Sequence, residues 1–160
     1  EKVPEATLAL MGDGIERTGL ERRAARIANV HVLPGVDQST VAGYLAAADV
    51  LVVSLKDTAL LRVTMPSKMQ VSLRAGRPVL VHGAGDAADL IQATGAGATA
   101  APGDAAAIIA AISRLTTAPS GQLASMGSAA RTCYEKHFTP EVGARRLETM
   151  LMNAQKDGRP

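Results

Sequence analysis

Short apolar runs alternate with longer helical patterns along this chain, and that alternation constrains the fold more than any other feature. The runs are ATLALM (6–11), VHVL (30–33), VLVVSL (50–55), PVLVH (78–82) and a weaker GATAA (97–101). Nearly every position within them is apolar, where a half-exposed strand would be apolar only at every second one. That is the pattern of a strand covered on both faces. Between them, residues 16–28, 39–48, 67–74, 86–93 and 104–115 carry helical patterns, most opened by Ser or Asp as caps. Strands separated by helices are joined by crossovers and not by hairpins. The chain is therefore expected to form an α/β, Rossmann-like, doubly wound parallel sheet with every strand-to-helix turn along one edge.

After Leu115 the pattern changes to two helices with no strand between them. The first covers 121–137, with Leu123, Met126, Ala130, Tyr134 and Phe138 near helical spacing. The second covers 140–155, with Thr139 as its cap and Pro140 in the first helical position. Leu147, Met150, Leu151 and Ala154 form one apolar face, which is expected to pack on a neighbouring surface. The closing QKDGRP, 155–160, reads as a frayed tail.

The 160 residues are 47% apolar, enough for a real core in one domain. Aromatic residues are only 2%, namely Tyr44, Tyr134 and Phe138, so stacking platforms for nucleobases are scarce. With 17 basic and 15 acidic residues spread along the chain, no basic footprint for nucleic acid forms. Cys133 has no internal partner and reads as a packed thiol; a reducing cytoplasm is the expected compartment. No apolar run approaches the roughly 20 residues that cross a bilayer. No His, Cys or acidic cluster has metal-ligand spacing, and His31, His82 and His137 stand singly.

Several separated segments, in order, resemble the C-terminal, donor-binding half of GT-B glycosyltransferases, especially bacterial members of family 4. They are TLALMGDGIERTGLERRA, VHVLPGVDQSTVAGYLAAADVLVVSLKD, MPSKMQVSLRAGRPVLVHG, LIQATGAGATAAPGDAAAIIAAI and YEKHFTPEVGARRLETML. The resemblance implies a retaining hexosyltransferase domain that uses a UDP- or GDP-sugar as substrate, with no cofactor and no metal. Its implied partners are an acceptor-binding N-terminal domain of the same enzyme and a lipid-linked acceptor at the inner membrane face, in bacterial polysaccharide or glycoconjugate synthesis. It also implies a strand order of 3-2-1-4-5-6. The first clear strand here, 6–11, has a second-strand character and no Gly-x-Gly-x-x-Gly turn. Residues 1–160 are accordingly expected to be a donor domain incomplete at its N-terminus, lacking the first strand–helix unit, so that 6–11 and 50–55 flank an unfilled place.

In the family, the nucleotide diphosphate lies against the helix opened by Pro66, Ser67 and Lys68. The physical reason holds independently: free amides and the positive end of the helix dipole stabilise an anion, Ser67 adds a donor and Lys68 adds charge. The alternative is a helix start with a solvated lysine. Gly12 and Gly14 let a ligand approach the backbone or simply make a strand-to-helix turn. Leu33, Pro34 and Gly35 match the loop whose backbone reads the nucleobase edge, or else form a tight connection. Arg62, and less directly Lys56, stand where a cation reaches a phosphate, or are solvated. No catalytic residue is identified. One departure stands out: the family's two glutamates, with seven residues between them, fall at Val63 and Val71. Neither valine accepts a hydrogen bond through its side chain, which puts ribose anchoring in question. A degenerate nucleotide-binding or scaffolding domain is the competing reading.

Overall fold

The computed structural model describes residues 2–156. In chain order the elements are β1 (Leu8–Met11), α1 (Arg17–Ala24), β2 (Val30–Leu33), α2 (Gln38–Ala47), β3 (Leu51–Ser54), α3 (Ala59–Arg62), α4 (Ser67–Ala75), β4 (Val79–His82), α5 (Asp86–Thr94), β5 (Gly97–Ala100), α6 (Ala105–Thr116), α7 (Ser120–His137) and α8 (Pro140–Lys156). All five expected strands are present and every pairing is parallel. They do not form one sheet, however. β1 pairs with β2, while β3, β4 and β5 form a separate three-stranded sheet. β1 and β3 are unpaired with each other, as expected if their shared place is left unfilled.

The three-stranded sheet holds the core. Leu51 and Val53 of β3 and Val79 and Val81 of β4 are buried, and Val53, Val79 and Val81 pack with Met69 and Leu73 of α4, Ala87 and Ile91 of α5, and Ala130 and Cys133 of α7. On the opposite face, Leu80, Ala98 and Ala100 pack with Ala111 and Leu115 of α6. Strand β4 lies in the middle, and Val79, Leu80 and Val81 are almost wholly removed from water. Burial pushes the Cys133 thiol up, consistent with an inert packed side chain.

Helix ends differ from the expected caps. The α2 cap is the Asp37 carboxylate, not Ser39, and Thr40 donates its amide to it. Gly85, with φ 82°, stands at the start of α5, and Asp86 makes no side-chain cap. Asp104 and Thr139 do cap, accepting from the amides of Ala107 and Val142. The apolar face of α8 does not pack: Leu147, Met150, Leu151 and Ala154 are exposed. Helix α8 runs to Lys156, so Gln155 and Lys156 of the expected tail belong to the helix; the rest of that tail, 157–160, lies outside the described residues.

Candidate functional site

Every strand ends on the side where its following turn begins, and the sequence-predicted residues gather in two clusters at those carboxyl ends. The first joins the turn after β1 to the loop after β2. Gly12 has φ 146°, a backbone conformation that side-chain-bearing residues rarely adopt. Next to it, Asp13 accepts the Gly35 amide at 2.8 Å and also pairs with Arg17. A Cβ at Gly35 would displace the exposed Asp13 carboxylate, so a side chain there would break this contact between the two turns. Gly14 has open space where a Cβ would stand, and Leu33 ends β2. An open groove of ≈ 210 Å³ lies here, lined in part by Leu10, Met11, Gly12, Gly14 and Arg17.

The second cluster follows β3 and β4. Ser54 and His82, partners in the strand register, end these strands and share a hydrogen bond of 3.0 Å between Oγ and Nδ1. Arg62 is not a loop cation waiting for an anion. It closes the short helix α3 and holds Asp57 through both Nε and Nη2, at 2.6 and 2.9 Å. That pair holds the Asp57 carboxyl below its ordinary value. Gly85 supports the same segment, because a Cβ there would strike the Arg62 backbone. Lys56 remains exposed in the intervening loop.

Helix α4 begins between these features. Pro66 is its N-cap, with φ −64° and ψ 147°, and supplies no side-chain cap; Ser67 is therefore the first helical residue and not the cap. The Met69 amide returns to the Pro66 carbonyl at 2.9 Å. No acid stands in the first turn, and Lys68 enters no ion pair among the described residues. The start of α4 thus presents amides, a hydroxyl and an ammonium with no resident anion. By contrast, α2 and α6 each begin on an aspartate carboxylate that already occupies this role. Met69, Ser72 and Leu73 bury the opposite face of α4, leaving Ser67, Lys68, Val71 and Arg74 in one exposed stripe. Val71 and Val63 are 47% and 70% exposed.

No hydrogen bond or ion pair joins the two clusters among the described residues. The Ser54–His82, Asp57–Arg62 and Asp13–Gly35 contacts were not identified from sequence. The first and third join separate segments, and only the register between strands could have disclosed the first; Asp57 and Arg62 are five residues apart, and it is the unforeseen helix α3 that brings them together. No group of three or more potential metal ligands occurs among the described residues.

Residues 1–118 match the family model described as glycosyl transferases group 1. The chain belongs to that family. Among solved structures, it resembles sucrose-phosphate synthase (tll1590) from Thermosynechococcus elongatus with a TM-score of 0.74 and 21% identity, over 94% of this chain and 39% of that one. It resembles Anabaena Alr3699/HepE, solved in complex with UDP-glucose, with a TM-score of 0.72 and 20% identity, over 94% and 43%. WaaG, a glycosyltransferase involved in lipopolysaccharide biosynthesis, gives 0.65 and 16%, over 91% and 40%. The fold is that of the C-terminal domain of GT-B glycosyltransferases, and the chain spans about two fifths of these structures' length. A comparison with curated protein sequences gives no match. No described helix is long and apolar enough to cross a membrane.

Proposed function

We propose that residues 1–160 bind the nucleotide-diphosphate sugar donor of a family 4-like, retaining bacterial hexosyltransferase. The observation that carries this reading is the start of α4, where Ser67, Lys68 and free amides meet no protein carboxylate. A diphosphate there is stabilised as the glycosidic bond breaks and negative charge collects on the leaving group. Leu33, Pro34 and Gly35 take the nucleobase edge, and Gly12 and Gly14 give the backbone room beside the phosphates. Arg62 acts by holding Asp57 and the loop before Pro66 in place, since its guanidinium is already engaged. The donor is a UDP- or GDP-sugar, with no cofactor or metal. The acceptor, on a lipid carrier at the inner membrane face, is presented by an N-terminal domain of the same enzyme. The cytoplasm is the compartment, and polysaccharide or glycoconjugate synthesis the role.

A second reading, a non-catalytic nucleotide-binding or scaffolding domain, is favoured by one observation: the exposed faces of α3's end and of α4 carry Val63 and Val71 where a carboxylate would hold ribose hydroxyls. Titration calorimetry on the complete polypeptide tests the first reading. UDP or GDP is expected to bind more tightly than the matching nucleoside, and added salt to weaken it, with screening over about 8 Å at physiological ionic strength. Lys68→Ala removes one attraction worth about 0.3–1 kcal/mol, a loss of about 2–5-fold in affinity, and Ser67→Ala removes one donor. Unchanged affinity and transfer in the double variant would reduce Pro66–Lys68 to a helix start.

A further inference from the structure

Strands β3 and β4 end side by side, and successive side chains on each point to opposite faces of the sheet. Val53 and Val81 pack among α4, α5 and α7, so Ser54 and His82, the next residues, turn to the other face. The closing row on that face is Ser54, His82 and Ala100, after a row of Val52, Leu80 and Ala98. Leu80, Ala98 and Ala100 are buried with α6, whereas Ser54 is exposed and His82 half-buried. The His82 ring holds Ser54 Oγ through Nδ1, and Nε2 has no hydrogen-bond partner among the described residues. No carboxylate among them pairs with the ring either, and the nearby Asp57 is already held by Arg62.

The backbone around this ring is firmly set. The Leu55 amide donates to the His82 carbonyl at 2.9 Å, and the Gly83 amide to the Ala100 carbonyl at 3.0 Å. A Cβ at Gly85 would strike the Arg62 backbone, so the turn leaving His82 lies against the segment that leads into α4. Helix α2, leaving β2, packs on α4, which puts the two-stranded sheet on the β3 side of the molecule. The carboxyl edge therefore runs from the loop after β2 and the turn after β1 to the start of α4, and then to the end of β4. A nucleotide-sugar is linear in the same sense: base, ribose, diphosphate, sugar. With the base at Leu33–Gly35 and the diphosphate at Ser67 and Lys68, the end of β4 falls to the sugar.

We propose that His82, oriented by Ser54, hydrogen-bonds a hydroxyl of the donor's hexose through Nε2, an inference that rests on the donor-binding reading above. When Ser54 donates to Nδ1, Nε2 carries the proton and donates; when Nδ1 carries the proton, Nε2 accepts. A sugar hydroxyl satisfies either form, because it both donates and accepts. An ionised phosphate oxygen only accepts, and the phosphates have donors of their own at the start of α4. A ring paired with a hydroxyl, and with no carboxylate, suits an uncharged ligand group of that kind. His82 is thus the residue that touches the sugar. Ser54 is a positioning residue, acting through the ring: without its hydroxyl, the bond that fixes the ring's orientation is lost and Nε2 is no longer aimed.

Titration calorimetry on the complete polypeptide tests it, with UDP against UDP-glucose and GDP against GDP-mannose as matched pairs. In the pair that binds, His82→Ala is expected to lower affinity for the nucleotide-hexose about 2–10-fold, the loss of one hydrogen bond, and to spare the diphosphate. Ser54→Ala should lower it in the same selective way but by less, and Ser54→Thr, which keeps the hydroxyl, should restore it. A merely structural role at the ends of β3 and β4 would weaken both members of the pair alike, and that result overturns the proposal. Unchanged affinity of His82→Ala for the nucleotide-hexose also overturns it, leaving the donor reading intact. Ser54→Thr falling as far as Ser54→Ala overturns the positioning role. If neither diphosphate binds the wild type, the donor reading fails and this inference with it, an outcome distinct from failure at His82 alone. The two Ser54 variants carry the comparison whether or not His82→Ala folds.

Discussion

The two halves of this molecule are both built on short strand runs, β1 and β2 no less apolar than β5, and end up very differently buried. In β1, α1, β2 and α2 no residue is buried. In β3, β4 and β5 every strand contributes buried residues, and β4 is buried at three of its four positions. The difference lies in what covers the strands. Helices α4, α5 and α7 cover one face of the three-stranded sheet and α6 the other, whereas α1 packs mainly on β2. An apolar run is thus sufficient to make a strand, but burial requires neighbours on both faces and both edges.

Core truncation should separate the halves most sharply. Leu73→Ala removes a wholly buried side chain and is expected to cost about 2–5 kcal/mol. Leu20→Ala in α1, at a position 37% exposed, should stay within about 0.5 kcal/mol. Urea unfolding of both variants checks this, and comparable losses would erase the distinction. A smaller contrast comes from two glycines. A Cβ at Gly127 of α7 would strike the Gly76 carbonyl, so Gly127→Ala should cost about 1–3 kcal/mol by overpacking. Gly14 has nothing near its would-be Cβ, and Gly14→Ala should leave the melting midpoint almost unmoved.

The strands were legible in the sequence because their runs are short, apolar and separated by helix-length intervals. All five appear, along with the parallel class and the closing helix pair. What escaped depends on contacts between segments. Helix α3, of four residues, is too short to show a period, and Thr58 caps it in a stretch that reads as loop. The division into two sheets depends on which edges meet, and apolar content is silent on edges. The face of α8 reads as buried by its spacing, yet spacing reports an amphipathic helix and not the presence of something to cover it. At the candidate site, Pro66, Ser67 and Lys68 stand where the sequence put them, at the start of a helix, with Pro66 in the capping position. Arg62 was visible as a cation, but its commitment to Asp57 five residues earlier was not.

The valines sharpen the comparison at the site itself. If ribose hydroxyls lie beside α4, Val71→Glu should strengthen nucleoside diphosphate binding, since hydrogen bonds to an ionised carboxylate are worth about 1.5–3 kcal/mol. Glutamate at a position already 47% exposed pays little desolvation. Calorimetry resolves a gain of that size. No gain with either UDP or GDP would favour the scaffolding reading.

The smallest expected effect lies in the thinly buried half, at the cap of α2. Asp37 is fully exposed, and its carboxyl is held down to about 2 from an ordinary 3.8, first by the Ser39 hydroxyl and then by the amide and hydroxyl of Thr40. A depressed folded-state value means that the unfolded chain binds the proton more readily. The carboxylate's contribution is therefore complete above pH 3.8 and is lost as the pH falls towards 2. Asp37→Asn keeps a cap acceptor but has no charge to lose. Wild type should accordingly melt slightly above the variant at about pH 5, with the gap closing on descent through that window. Asp57 and Glu141, also held low, titrate in both proteins and cancel in the difference. Because α2 buries no residue, this cap is one of the few contacts fixing its start, and the effect should be concentrated there in amide exchange. A gap that does not change with pH would show that the charge on Asp37 contributes nothing and that the Asn side chain caps α2 equally well.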